Sequence, residues 1–184
     1  MSNTVSCFLI VTERLEGVWN RSIVQGVKTE EILLSHIVVE SIILVIQTIT
    51  VILIVFPIWG LECRGSIFTV FVLVFLNGFC GLCYGFIIST FCTTLVSALI
   101  CSTGSFLPMI ATNGSLWPLA GMPTVLRWIS FLVPTTLPSQ SLRGIIYKNS
   151  SISDYEVYIG FITTLGWTVL IFVVTIFGIR LKSP

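Results

Sequence analysis

The side chains best able to do chemistry in this chain are few, and three of them share one face of one apolar stretch. His36, Glu40 and Gln47 fall within about 40° of arc on a helix, inside a run from Ser35 to Pro57 with no other ionisable residue. A carboxylate there is costly unless it faces the protein interior and has a partner. Two readings are open: a His36–Glu40 pair at i, i+4 near the membrane surface, or a polar group serving coupling or a proton-linked step. Cys80-x-x-Cys83 lacks the second ligand pair of a zinc site and lies in a hydrophobic run, so packing is its expected role. One histidine and no second intramembrane acid supply neither a metal site nor a protease dyad, which leaves an intramembrane enzyme without support. No G-x-x-x-x-G-K-[ST] phosphate loop occurs, so ATP cannot be held by this chain in that manner.

The elements that position these groups are set by the spacing of charge. Residues 65–126 contain no Asp, Glu, Lys, Arg or His. One straight helix of that length would reach roughly three times the ~30 Å hydrocarbon thickness of a bilayer, so the run must fold back within lipid. The chain is 55% hydrophobic and 9% charged, with mean hydropathy +1.04; soluble domains carry about 25% charged residues. A net charge of +1 gives no reason to expect nucleic acid. The expected fold is an all-α membrane protein with four transmembrane helices, about Ser35–Pro57, Ile67–Ile88, Phe91–Ala111 and Val157–Ile179. Val5–Val11 is too short to cross and reads as the end of an earlier span. The expected organisation is residues 1–34 before the first complete span, 35–112 for three spans, 113–156 for a re-entrant and external segment, and 157–184 for the last span and tail.

Four spans put both ends on one side. Arg14, Arg21, Lys28, Arg180 and Lys182 flank that side, against Arg64, Arg127, Arg143 and Lys148 opposite, which predicts cytoplasmic termini. Asn149-Ser-Ser then lies in an external polar loop as a glycosylation acceptor, while Asn20 and Asn113 are expected to stay unmodified. Ser153 and Glu156 form an S-x-x-E capping box before the last span. Residues 113–151 hold four prolines yet remain largely apolar, which predicts short re-entrant helices. Gly81, Gly85 and Ser89, and then Thr93, Ser97, Cys101 and Ser105, recur every four residues and predict close contact between the second and third spans. Leu15, Val18, Trp19 and Ile23 share one face of an amphipathic segment whose other face carries Glu13, Arg14, Glu16, Asn20 and Arg21. Such a helix lies on the membrane surface or docks a soluble partner.

One ordered set of features resembles a known family. Asn113-Gly-Ser-Leu-Trp-Pro-Leu-Ala-Gly-Met-Pro, then Leu126-Arg-Trp, then Pro134 through Leu142-Arg-Gly, is similar to the region before the last span of type-2 ATP-binding-cassette (ABC) permeases. Glu13-Arg14, a Gly-containing amphipathic helix and an acidic residue early in the next span resemble the coupling helix and third transmembrane helix of that family. The order of elements resembles the G (white-like) half-transporters or their insect relatives over essentially the whole chain.

The resemblance implies that the four spans are the third to sixth of a six-helix exporter unit, and that the chain is the C-terminal part of a longer protein. It implies a homo- or heterodimer with a second half-transporter around a cavity for lipophilic substrates, in contact with membrane lipid. It further implies a nucleotide-binding domain as the partner that holds ATP and Mg, with no cofactor on this chain. Glu13, Arg14, Leu15, Val18, Trp19 and Ile23 would form the coupling helix. Ile100, Thr103, Gly104, Leu107 and Ile110 would line the cavity, and Ser115, Leu116 and Trp117 the outer gate, where Ser115-Leu116 departs from a two-leucine plug and Trp117 would supply the missing bulk. A plasma-membrane location is expected. The competing class is a non-transporting four-span scaffold of tetraspanin or claudin type. Trp59-Gly-Leu-Glu-Cys63 is similar to the claudin first-loop signature, but its loop is short with one cysteine, and residues 113–151 lack the cysteines of a tetraspanin loop.

Overall fold

A computed structural model describes residues 2–15, 21, 24–26, 29–60, 65–92, 94–114, 121–148 and 154–182. The described elements are helical: α1 (Ser2–Leu15), α2 (Thr29–Leu53), α3 (Ile67–Phe91), α4 (Leu95–Thr112), α5 (Thr124–Leu132), α6 (Thr136–Lys148) and α7 (Tyr155–Lys182). Among the described residues, four stretches are long and apolar enough to cross a bilayer: Leu34–Ile58, Ile67–Phe91, Leu95–Thr112 and Tyr155–Ile176. These are the four spans expected from the charge pattern, with shifted ends. The second continues to Phe91, and the third begins only after Thr94, whose Oγ1 accepts the Ser97 N–H at 3.3 Å as an N-cap. At its far end α2 widens into a π turn, Ile54–Ile58, around Pro57, whose ring nitrogen donates no hydrogen bond.

Lipid offers backbone and hydroxyl groups no water, so each must bond within the protein. The spans meet this locally. The hydroxyls of Thr48, Ser105, Thr164, Thr168 and Thr175 donate to carbonyls four residues earlier, at 2.6–2.8 Å. Large apolar side chains face outward along α2 and α7, as they would against acyl chains.

Helix α3 is the hub. Leu82 and Phe86 pack with Ile10 of α1, and Ile88 with Cys7, Val11 and Ala98, which wedges α1 between α3 and α4. Val70 and Leu73 meet Ile145, Ile146 and Val157 at one end, and Cys80 and Cys83 meet Ile171 further along, so α3 and α7 run parallel. The Cys80-x-x-Cys83 pair is part of this packing. Helix contact in lipid rests on dispersion and close approach, because water does not drive it. Gly78 shows this, since a Cβ there would stand 2.6 Å from Leu44 Cδ1. Gly160 likewise makes room for Ser141, whose Oγ donates to the Glu156 carbonyl at 2.6 Å.

One local expectation is revised, and another falls partly on residues outside the described ones. Gly85 and Ser89 are buried, but on the side of α3 shared by Leu82 and Phe86, where α1 packs. Cys101 of α4 is exposed, and Ser97 and Ser105 are only half-buried; Thr93 lies outside the described residues. The two small-residue stripes therefore do not close on each other, because α1 occupies the angle between the helices. At the start of α7 the Asp154 carbonyl accepts from Val157 and Tyr158 N–H. The Glu156 carboxylate reaches Lys148 Nζ at 3.0 Å. A cation on α6 is thus one partner of this carboxylate. Ser153 lies outside the described residues.

Candidate functional site: one inter-helix His–Glu contact, one exposed face and one anchored turn

At one end of the bundle α1 finishes against the first turns of α2. His36 Nε2 and Glu13 Oε2 stand 2.8 Å apart, with side chains 12% and 37% exposed. The short contact of His36 is thus made between helices, where a pairing with Glu40 one turn along was one of the two expectations. Glu40 is 5% exposed and continues a buried stripe with Leu44 and Thr48. Gln47 sits beside that stripe and lines an apolar cleft of about 310 Å³ among α2, α3 and α4, with Asn77, Gly78, Phe106 and Met109. The arc read from the sequence is real as a face of α2, with His36 at the contact to α1, Glu40 in the buried stripe, and Gln47 at a cleft that Leu44 and Thr48 also line.

The proposed coupling-helix residues divide. Glu13, Arg14 and Leu15 form the last turn of α1, while Val18, Trp19 and Ile23 lie outside the described residues. The cavity residues share one face of α4. Ile100 is 66% and Leu107 64% exposed, Thr103 is exposed beside them, and nothing lies within 4 Å of a Cβ placed on Gly104. Ile110 departs from the others, because it is half-buried and lines a second cleft with Val74, Asn113 and Leu142.

Past the end of α4 the chain turns at Gly114, where φ is +79°, a value that favours glycine. Arg143 Nη2 of α6 donates to the Gly114 carbonyl at 2.8 Å. A guanidinium here satisfies a carbonyl beyond the helix terminus and sits at the negative end of the α4 dipole. Sequence reasoning used Arg143 in the charge count for topology and in the resemblance, and missed this anchoring. The available signal was one of three basic residues in a largely apolar segment, the other two being Arg127 and Lys148. Ser115, Leu116 and Trp117 follow directly and lie outside the described residues, as does Asn149.

This order of four spans, interrupted by two short helices before the last, has counterparts among known proteins. Residues 1–147 match the family described as ABC-2 type transporter. The chain belongs to that family.

Two Dictyostelium discoideum proteins resemble this ABC-2 chain along most of its length. ABC transporter G family member 20 is 25% identical over 180 residues, covering 98% of this chain and 25% of its own length. ABC transporter G family member 23 is 28% identical over 159 residues, covering 86% of this chain and 22% of its own. The chain thus spans about a quarter of the length of these relatives. It is the membrane component of an ABC transporter and a multi-pass membrane protein. ABC-2 permease domains work with nucleotide-binding domains.

Proposed function

We propose that this chain is the permease part of an ATP-driven exporter of lipophilic substrates, acting as one half of a homo- or heterodimer. The observation that carries the reading is the outward face of α4. Ile100, Thr103, Gly104 and Leu107 present a continuous, mostly apolar strip with a glycine at its centre. Facing its copy across a two-fold axis, this strip would wall a passage suited to hydrophobic molecules. Ser115, Leu116 and Trp117 would close its outer end from the turn that Arg143 anchors at Gly114.

In this reading Glu13, Arg14 and Leu15, the last turn of α1, begin a coupling helix that includes Val18, Trp19 and Ile23. ATP and Mg belong to a nucleotide-binding domain docked on that helix, and the Glu13–His36 pair transmits its movement to α2. A plasma-membrane location with both termini cytoplasmic completes the reading. The four-span scaffold gains no support from family membership.

The test is cross-linking in the full-length protein. A Leu107→Cys variant, with the exposed Cys101 replaced by Ser, is expected to form an oxidative cross-link between two protomers, and substrate should reduce its yield. Labelling of the introduced thiol by lipid-soluble reagents alone, with no cross-link, would place this face against the bilayer and overturn the reading.

A further inference from the structure

At the end of the bundle opposite Glu13 and His36, a groove of about 550 Å³ runs between α5, α6 and α7. One side of α6 forms its length: Leu137, Gln140, Arg143, Gly144, Tyr147 and Lys148 recur every three or four residues. Spanning those eleven steps, it is roughly 16 Å long. Its chemistry changes along that length. Phe131, Leu137 and Ile159 make one portion apolar, while Arg143, Lys148, Tyr147, Tyr155 and Glu156 make the other polar.

The charges do not cancel. Glu156 is paired with Lys148 at 3.0 Å, which leaves Arg143 in excess. Arg143 has one Nη2 bond, to Gly114, and a guanidinium carries five N–H donors, so it can bind an anion while keeping that anchor. Gly144 leaves the middle of the groove clear of a side chain. The tyrosine hydroxyls add donors at the rim, where aromatic residues with one apolar and one wet end are favoured. A volume of this size lies within the range of small-ligand sites; it would take a headgroup and glycerol, with acyl chains left in the bilayer.

We propose that this groove binds a phosphate-bearing amphiphile, its phosphate on Arg143 and Lys148 and its glycerol portion against Leu137 and Ile159. The site is separate from the α4 face and does not depend on the export reading. Arginine favours phosphate through parallel N–H bonds, and an apolar floor distinguishes a lipid from free phosphate.

The experiment measures binding to the full-length protein in detergent. The probes are short-chain phosphatidylglycerol, glycerol phosphate and a short-chain diacylglycerol. Phosphatidylglycerol is expected to bind, with affinity reduced about tenfold by Arg143→Gln and by a smaller factor in Lys148→Gln. The second variant keeps the Gly114 anchor, and its loss removes only an exposed ion pair, so folding is retained. Equal binding of diacylglycerol would remove any role for phosphate and overturn the proposal. Equal binding of glycerol phosphate would overturn the lipid assignment in favour of a soluble phosphate compound. Unchanged phosphatidylglycerol binding in both variants would overturn the site itself.

Discussion

Glu13 and His36 are 23 residues apart in sequence, on different helices, and their side chains meet at 2.8 Å. The bond ties the last full turn of α1 to the first turns of α2. In the proposed reading, movement of the coupling helix reaches a membrane span through this contact. Glu13 is more than a third exposed, so the pair contributes about 1 kcal/mol or less to stability. Its importance lies in position.

Glu13→Gln and His36→Gln are each expected to lower transport per ATP hydrolysed in the full-length protein while leaving insertion unchanged. The double variant should be no worse than the poorer single one, because both remove the same contact. Additive losses in a double-mutant cycle would show that the residues act separately.

The spans were legible because charge is so strongly excluded from lipid that residues 65–126 could not be read otherwise. Pro57 and the apolar, proline-rich segment before the last span were legible for backbone reasons. The partners were not. Helical periodicity places His36 and Glu40 on one face, but it cannot say that Glu13 of another helix approaches that face. Likewise the small stripes of α3 and α4 promised close contact, and only three-dimensional packing shows that α1 fills the angle between them. Arg143 illustrates the same limit, since its partner is a backbone carbonyl, a group every residue carries.

Close approach at glycine makes a second prediction. A Cβ on Gly65 would stand 2.5 Å from the Ile145 carbonyl oxygen, a backbone atom that cannot swing aside, whereas one on Gly81 meets nothing within 4 Å. Gly65→Ala is expected to destabilise the protein by about 1–3 kcal/mol, and Gly81→Ala to be near neutral. Thermal unfolding in detergent separates the two. Equal midpoints would contradict the packing of Gly65, just before α3, against α6.

The turn after α4 supplies a third. Arg143→Ala removes the bond that holds the Gly114 carbonyl, and Leu116→Ala with Trp117→Ala removes the bulk that follows it. Both variants should raise basal ATPase activity in the absence of substrate, since a loosened outer closure lowers the barrier to cycling. If both reach the membrane and hydrolyse ATP like the parent, Trp117 is an interfacial anchor and the gate lies elsewhere.

Asn149 is the next residue in sequence after Lys148, which ends α6 at the pole of the bundle opposite Glu13. In eukaryotic cells the full-length protein should carry a glycan that glycosidase treatment removes and Asn149→Gln abolishes. A mobility unaffected by either would reverse the proposed orientation.

Export through the α4 face is tested most directly by transport in proteoliposomes containing the full-length protein. Movement of a fluorescent lipophilic tracer should require hydrolysable ATP. Filling the open space beside Gly104 with Gly104→Leu should lower that movement at least tenfold, with basal hydrolysis retained. ATP-driven transport at the parent rate in Gly104→Leu, or hydrolysis that moves no lipophilic tracer in the parent, would contradict the assignment.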